Sequence, residues 1–242
     1  MPGFFYQLGR KVGPKLRQAT WAWHSLFGDE DQRLAAEAAV GQDLTEAVLK
    51  QMPALSTDTR TIPATSILQQ LVSHLRDQRR HFYVFVISDK SPNAFALPGG
   101  TVIVTNSLLT LCDNSSDQMA FVLAHEMAHI IKGHAMERLA MNAAITTVTK
   151  LGTVRKSIMG WVQKVGVGAL QGTYSQDHEL EADALGIRLS RAAGYQAEAA
   201  CQLLEALSRL SPTSSQEGLK SYFSSHPPLA RRLSEIQRVL QN

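Results

Sequence analysis

The sequence predicts an α+β fold, mainly helical, with a small β-sheet beside one buried helix. Three observations predict it. Apolar residues recur at helical spacing through most of the chain after residue 28. β-Branched and aromatic runs suited to strands occur at 82–87 and 101–105, set apart by turn signals. The chain has 242 residues, 44% of them hydrophobic and 19% charged, which suffices for one sizeable core.

Residues 29–52 are rich in alanine and leucine and read as a helix that Pro53 stops. Ile67, Leu68, Leu71, Val72 and Leu75 repeat at helical spacing, and Arg76, Arg79 and Arg80 follow where the helix dipole favours cations. The run 82–87 is a buried strand. Ser91-Pro92-Asn93 and Pro98-Gly99-Gly100 are turns on either side of a short segment at 94–97, and 101–105 is a second strand. Ser115 with Gln118 has the spacing of a capping box and opens a helix that runs toward Gly133. Residues 141–173 mix helix-like stretches with β-branched residues and Gly152, Gly160, Gly166 and Gly168, and predict a partly helical, mobile excursion near the functional site. Ser175 caps a helix that continues to about Arg191 and stops at Gly194. A further amphipathic helix spans 196–210, a loop 211–215, and Pro228 suits the first turn of a last helix reaching Leu240.

Composition narrows the function classes. The two cysteines, Cys112 and Cys201, form no CxxC, so neither a disulfide framework nor a cysteine zinc site is indicated. The net charge of +3 is uneven. Residues 1–28 hold Arg10, Lys11, Lys15 and Arg17, no acid, and the aromatics Phe4, Phe5, Tyr6, Trp21, Trp23 and Phe27. Such a segment suits an anionic membrane surface, docking on the folded domain, or disorder. The rest of the chain offers no basic stripe, which argues against nucleic acid. Neither a signal peptide nor a run of about 18 apolar residues is visible, so the expectation is a cytoplasmic protein, with peripheral membrane contact through 1–28 as an open option. The division expected is 1–28, a basic aromatic segment, and 29–242, the folded domain.

The chemistry is carried by His125-Glu126-Met127-Ala128-His129. Histidines four apart on a helix project from one face and reach a single tetrahedral zinc ion. The glutamate between them sits beside the metal, placed to take a proton from a zinc-bound water, a pattern that points to hydrolysis, most often of peptides. Apolar neighbours Phe121, Val122, Leu123, Ile130 and Ile131 describe a buried helix, where these polar groups would be costly without a metal. A third ligand is required, and Glu179, 50 residues after His129, is the best candidate. Glu179 and Asp183 share a helix face, so one carboxylate can ligate and the other orient a histidine ring, while Glu181 points about 200° away. His134 lies nine residues after His125. The metzincin pattern requires histidine at ten and glycine at seven, where this chain has Ala135 and Lys132, so His134 reads as a helix-end residue.

Four blocks together resemble the Ste24/HtpX/Oma-type gluzincin metallopeptidases, especially the soluble BepA-like and Oma-like branch. They are 93–100 with the following strand, 125–129, 174–183, and His226-Pro227 with Arg232 six residues on. The resemblance covers roughly 60–240 and implies a zincin-like domain with one Zn2+ per chain. It implies His125, His129 and Glu179 as ligands and Glu126 as catalytic base, with Asp183 as a supporting carboxylate. His226 matches a histidine that can occupy the open zinc position, and so gate the enzyme or stabilise the oxyanion; a plain loop residue is the other reading. Arg232 is expected to pair with a buried carboxylate. The family usually has arginine where this chain has Gln176, and the membrane spans and long repeat domain of other branches are missing.

The reaction expected is zinc-assisted amide hydrolysis. Glu126 accepts the proton of the water and delivers it to the leaving amine, with His226 or Tyr174 donating to the oxyanion. The strand 101–105 is expected to run beside the cleft and to pair with an extended protein or peptide substrate, one from misfolded or membrane-associated proteins. Alternatives are a chaperone-like or regulatory binding module with a latent, His226-capped zinc site, and a zinc hydrolase of another bond class.

Overall fold

The structure, a computed structural model, describes residues 29–55, 61–112, 115–142, 151–209 and 229–241. Helices α1 (Glu30–Gln51) and α2 (Thr61–Ser73) precede strands β1 (Tyr83–Ile87), β2 (Ala94–Leu97) and β3 (Thr101–Thr105). There follow α3 (Asn106–Leu111), α4 (Ser116–Ile131), α5 (His134–Asn142), α6 (Leu151–Val165), α7 (Gln176–Ala192), α8 (Ala199–Arg209) and α9 (Leu229–Leu240). The architecture is α+β and mainly helical, as expected. No helix of the described residues is long and apolar enough to cross a membrane.

The three strands pair in the order β1-β3-β2, with β1 parallel and β2 antiparallel to β3. Period-two alternation then divides their side chains between two cores. Val84, Val86, Ala94, Ala96, Val102 and Val104 pack with Ile67 and Leu71 of α2 and with α4. Phe95, Leu97 and Ile103 face the other way, onto Val40 and Leu44 of α1, Leu139 of α5 and Ile158 and Val162 of α6. The sheet is therefore covered on both faces, which explains why its strands read as continuous apolar runs.

Strand order corrects one expectation. Thr101–Thr105 is central and paired on both sides, so it offers no edge to a substrate; the outer strand beside α4 is β2. Strand order depends on long-range pairing, which local periodicity does not carry. The β2–β3 turn is Pro98–Gly100, with Gly99 at φ 78°, a conformation that suits glycine. It is wedged against α1, where Gly41 has no room for a Cβ beside the Pro98 carbonyl, and Thr45 Oγ1 hydrogen-bonds Thr101 Oγ1 at 2.9 Å.

The excursion expected at 141–173 is helical in part, and its end meets the site at Gly172, whose carbonyl accepts from Arg138. Its part from Leu151 to Val165 is α6, which lies on the α1 side of the sheet, away from α4. Its apolar face, Ile158 and Val162, finds a partner there. Helix α8 starts at Ala199 rather than 196, and α3, capped by Thr105 Oγ1 on the Leu108 amide, adds a helix that the sequence reading left unassigned. Residues 1–28, the 211–215 loop, Pro228 and His226 lie outside the described residues.

Ile103 is fully buried on the central strand. Ile103→Ala is expected to lower unfolding stability by about 2–5 kcal/mol, measured by urea denaturation.

Candidate metal centre

Helix α4 is buried without a break from Met119 to Ile130, as a helix surrounded by the core must be. Ser115 caps it, its Oγ accepting from the Gln118 amide at 3.3 Å. Its polar residues His125, Glu126 and His129 are at most 3% exposed. Helix α7, capped by Ser175 Oγ on the His178 amide, crosses α4 closely. A Cβ on Gly186 would lie 3.1 Å from the His125 amide nitrogen and 3.2 Å from its Cα. Glu179, Asp183 and Gly186 share one face of α7, so the close approach at glycine carries both carboxylates onto the histidines.

His125 Nε2 and His129 Nε2 are 3.2 Å apart. Glu179 Oε2 lies 3.7 Å from the first and its Oε1 3.4 Å from the second. One ligand atom from each of the three residues lies within 4.8 Å of the others, all fully enclosed. Two imidazole nitrogens and a carboxylate are a donor set for a divalent cation of zinc's kind.

The other face of each ring is also engaged. His125 Nδ1 lies 2.9 Å from Asp183 Oδ1, which leaves Nε2 as the ring's ligand atom. Arg232 of α9 donates to Asp183 through Nε at 2.8 Å and Nη2 at 2.7 Å, and its Nη1 stands 2.9 Å from Glu179 Oε2. Burial alone would raise the Asp183 pKa, but the Arg232 guanidinium and His125 reverse this and hold the carboxyl below its ordinary value. Glu126, Glu179 and Asp183 are three buried carboxylates; Arg232 and Arg138 are the two buried guanidinium groups around them. The enclosed excess is negative, which favours a cation.

Two residues without an assigned role in the sequence reading join the site. Gly133, at φ 79°, ends the helical run and α5 begins at His134. The chain turns there, so His134 is buried and sets its Nδ1 3.1 Å from His129 Nδ1. With His129 Nε2 facing the cluster, Nδ1–H donates and His134 must accept as a neutral ring. Burial, followed by the charges of His178 and Lys132, lowers the His134 pKa to about 3, consistent with that role. Arg138 donates to the Gly172 carbonyl at 2.9 Å and the Ala96 carbonyl of β2 at 3.0 Å, and its guanidinium lies 4.2 Å from the Tyr174 ring centroid. Tyr174 in turn stacks on His129, centroids 3.7 Å apart and planes within 10°. Burial raises the pKa of its hydroxyl, which therefore stays protonated. The His134 spacing was visible in the sequence but only the turn at Gly133 gives it meaning; nothing local pointed to Arg138.

The structure thus brings together His125, Glu126, His129, Tyr174, Glu179, Asp183 and Arg232. Gln176, where a family arginine was expected, accepts instead from Arg231 Nη1 at 2.7 Å.

Comparison with known proteins adds an independent line. The description of Peptidase family M48 matches residues 62–240. The beta-barrel assembly-enhancing protease of Escherichia coli O157:H7 is 30% identical over 187 residues, covering 72% of this chain and 38% of that protein. Mitochondrial metalloendopeptidase OMA1 of Schizosaccharomyces pombe is 29% identical over 218 residues, covering 87% of this chain and 63% of that protein. A crystal structure of S. mikatae Ste24p aligns with a TM-score of 0.41 at 17% identity, covering 95% of this chain and 63% of that one. The chain spans less than two thirds of the length of these relatives.

The His134 geometry has a consequence for pH. An ordinary histidine titrates near 6.5 and this one near 3, so between those values the unfolded chain binds more protons and stability falls as pH falls. The contribution is at most about 1.4 kcal/mol per pH unit. In metal-free protein, urea denaturation at about pH 7 and pH 5 is expected to show a smaller loss for His134→Gln than for the native chain.

Proposed function

The chain belongs to peptidase family M48, and on that premise we propose that it is a zinc-dependent endopeptidase acting on protein or peptide chains in extended form. The observation that carries this is the convergence of His125 Nε2, His129 Nε2 and a Glu179 carboxylate oxygen inside a buried cluster. The helix bearing both histidines also carries Glu126, which is 2% exposed.

In this reading His125, His129 and Glu179 hold the ion. When bound, zinc supplies a Lewis acid that lowers the pKa of water and polarises a carbonyl. Glu126 accepts the proton of the attacking water at its carboxylate and passes it to the leaving amine nitrogen. Asp183, braced by Arg232, fixes the His125 ring, and His134 fixes the His129 ring by accepting its Nδ1 proton. Tyr174 supports His129 from its face. Arg232 also restrains Glu179, so one guanidinium sets both carboxylates of α7. His226 is proposed as a donor to the oxyanion or as a gate at the open ligand position.

Strand β2 is the outer strand beside the site, and all four of its residues are buried. The register pairs Phe95 with Ile103 and Leu97 with Thr101, and the Ala96 carbonyl accepts from Arg138. Arg138 thereby closes the β2 edge at Ala96 and ties that strand to the Tyr174–His129 stack. The names of the relatives, an assembly-enhancing protease and a metalloendopeptidase, agree with a role on incompletely folded or membrane-associated proteins.

Three measurements test this. Glu126→Gln is expected to retain stoichiometric zinc while casein cleavage falls by about 10²–10⁴ or more. Glu179→Ala is expected to lose zinc on dialysis as well as activity. Chelation should abolish cleavage by the native chain, and zinc should restore it. Undiminished turnover by Glu126→Gln would remove the assigned base; client protection without cleavage by native, zinc-loaded protein would favour a binding module.

A further inference from the structure

A groove of about 780 Å³ runs between α1 and β1, on the sheet face opposite α4. Its walls are Leu34, Ala35 and Ala38 of α1 and Tyr83 and Phe85 of β1, over a floor at Pro98 and Gly99. Tyr83 is 56% exposed, an unusual state for a large apolar side chain among the described residues. Leu55 and Ala54 pair with Val86 and Ile87 on the outer edge of β1, and among the described residues no strand flanks Tyr83–Phe85 on that edge, β3 taking the other. An apolar trough next to a strand edge that has no partner among the described residues is suited to an extended chain with aromatic side chains.

We propose that this groove is the docking site of the chain's own residues 21–28, which bring Trp21, Trp23 and Phe27 onto Tyr83, Phe85 and the exposed alanines of α1.

Three observations choose this occupant. The first is the tether. Residue 28 directly precedes Asp29, the N-cap of α1, and Asp31 lines the mouth of the groove. The trough follows α1 from Asp31 to Glu46, about 22 Å at 1.5 Å per residue. Seven extended residues cover that distance at about 3.3 Å each. A tether this short gives an effective concentration on the order of millimolar, ahead of most competitors in solution.

The second is side-chain phase. Trp21, Trp23 and Phe27 are all odd-numbered, so an extended chain presents them on one face.

The third is charge. The cations at the rim are already matched: Arg79 reaches Asp31 at 2.7 Å and Asp77 at 2.7 Å, and Arg80 pairs with Glu37. Glu46, at the far end, accepts from the neutral Gln42 amide and has no cation partner among the described residues. Residues 21–27 span the trough, so Arg17 follows four residues beyond its Glu46 end, and residues 1–28 contain no acid to oppose Glu46.

Tryptophan fluorescence of the full chain tests the proposal. The chain has Trp161 as its other tryptophan, so a Trp161→Phe background reports on Trp21 and Trp23 alone. In that background, emission should be blue-shifted and protected from acrylamide compared with the same protein in urea. Ala38→Arg, at an exposed position on α1, should shift emission to the urea value and remove the protection. Tyr83→Ser should do the same, and far-UV circular dichroism of both variants should match the background protein.

Emission already equal to that in urea, with protection appearing only on adding anionic vesicles of phosphatidylglycerol, would overturn the proposal in favour of a membrane-binding segment. Protection that survives both groove variants would place the segment elsewhere. Protection that grows with protein concentration would assign it to the groove of a second copy. None of these readouts depends on zinc or on cleavage.

Discussion

Glu179 and Asp183 reach His125 and His129 because α7 approaches α4 where Gly186 faces the backbone of His125. Any side chain at 186 would have to displace the helix that carries both histidines. The two carboxylates lie seven and three residues earlier, on the same stripe, so the separation of the helices sets their distance from the imidazoles. The local sequence supplies the donors, and the helix crossing supplies the geometry. Both helices begin at serine caps, which fixes where each starts and therefore which residues face the crossing.

Packing two carboxylates against two imidazoles in a sealed interior creates a charge problem that the crossing alone does not solve. Arg232 comes from α9, 49 residues beyond Asp183, and is itself fully buried. It makes a bidentate pair with Asp183 and contacts Glu179, so neither carboxylate depends on a bound ion alone for its placement. Removing one member of such a buried set commonly costs about 3–5 kcal/mol, because the remaining charge is stranded. Helix α9 packs on α7 and α8, and in this way the end of the domain is tied to its chemical centre.

How much of this the sequence disclosed depended on whether the information was local. Two histidines and a glutamate within one helical turn, and two carboxylates one turn apart, are patterns of period 3.6, and they were legible. The caps at Ser115 and Ser175 were legible for the same reason. The centrality of β3 was not, because strand order follows long-range pairing, and β2 is only four residues long. His134 was misplaced because a helix continued through Gly133 would have carried it to another face. The left-handed glycine redirects the chain and returns the ring to His129. Arg138 was invisible because its partners, Ala96, Gly172 and Tyr174, are 34 or more residues away and two of them are backbone carbonyls. The 141–173 stretch looked irregular because its glycines and β-branched residues outweighed an apolar face that only α1 and the sheet make useful.

The sheet is the wall between two different surfaces. On one side β2 meets α4, and Arg138 links the Ala96 carbonyl to the Tyr174–His129 stack. On the other, α1 grips the β2–β3 turn through Gly41 and the Thr45–Thr101 hydrogen bond, beside the groove. One short turn is therefore held by α1 and directly follows β2, the strand that borders the metal centre. The β2 register is set from the α1 side as well as by β3. A sheet of three strands has little stiffness of its own, so the precision of the edge beside α4 rests on how firmly α1 holds that turn.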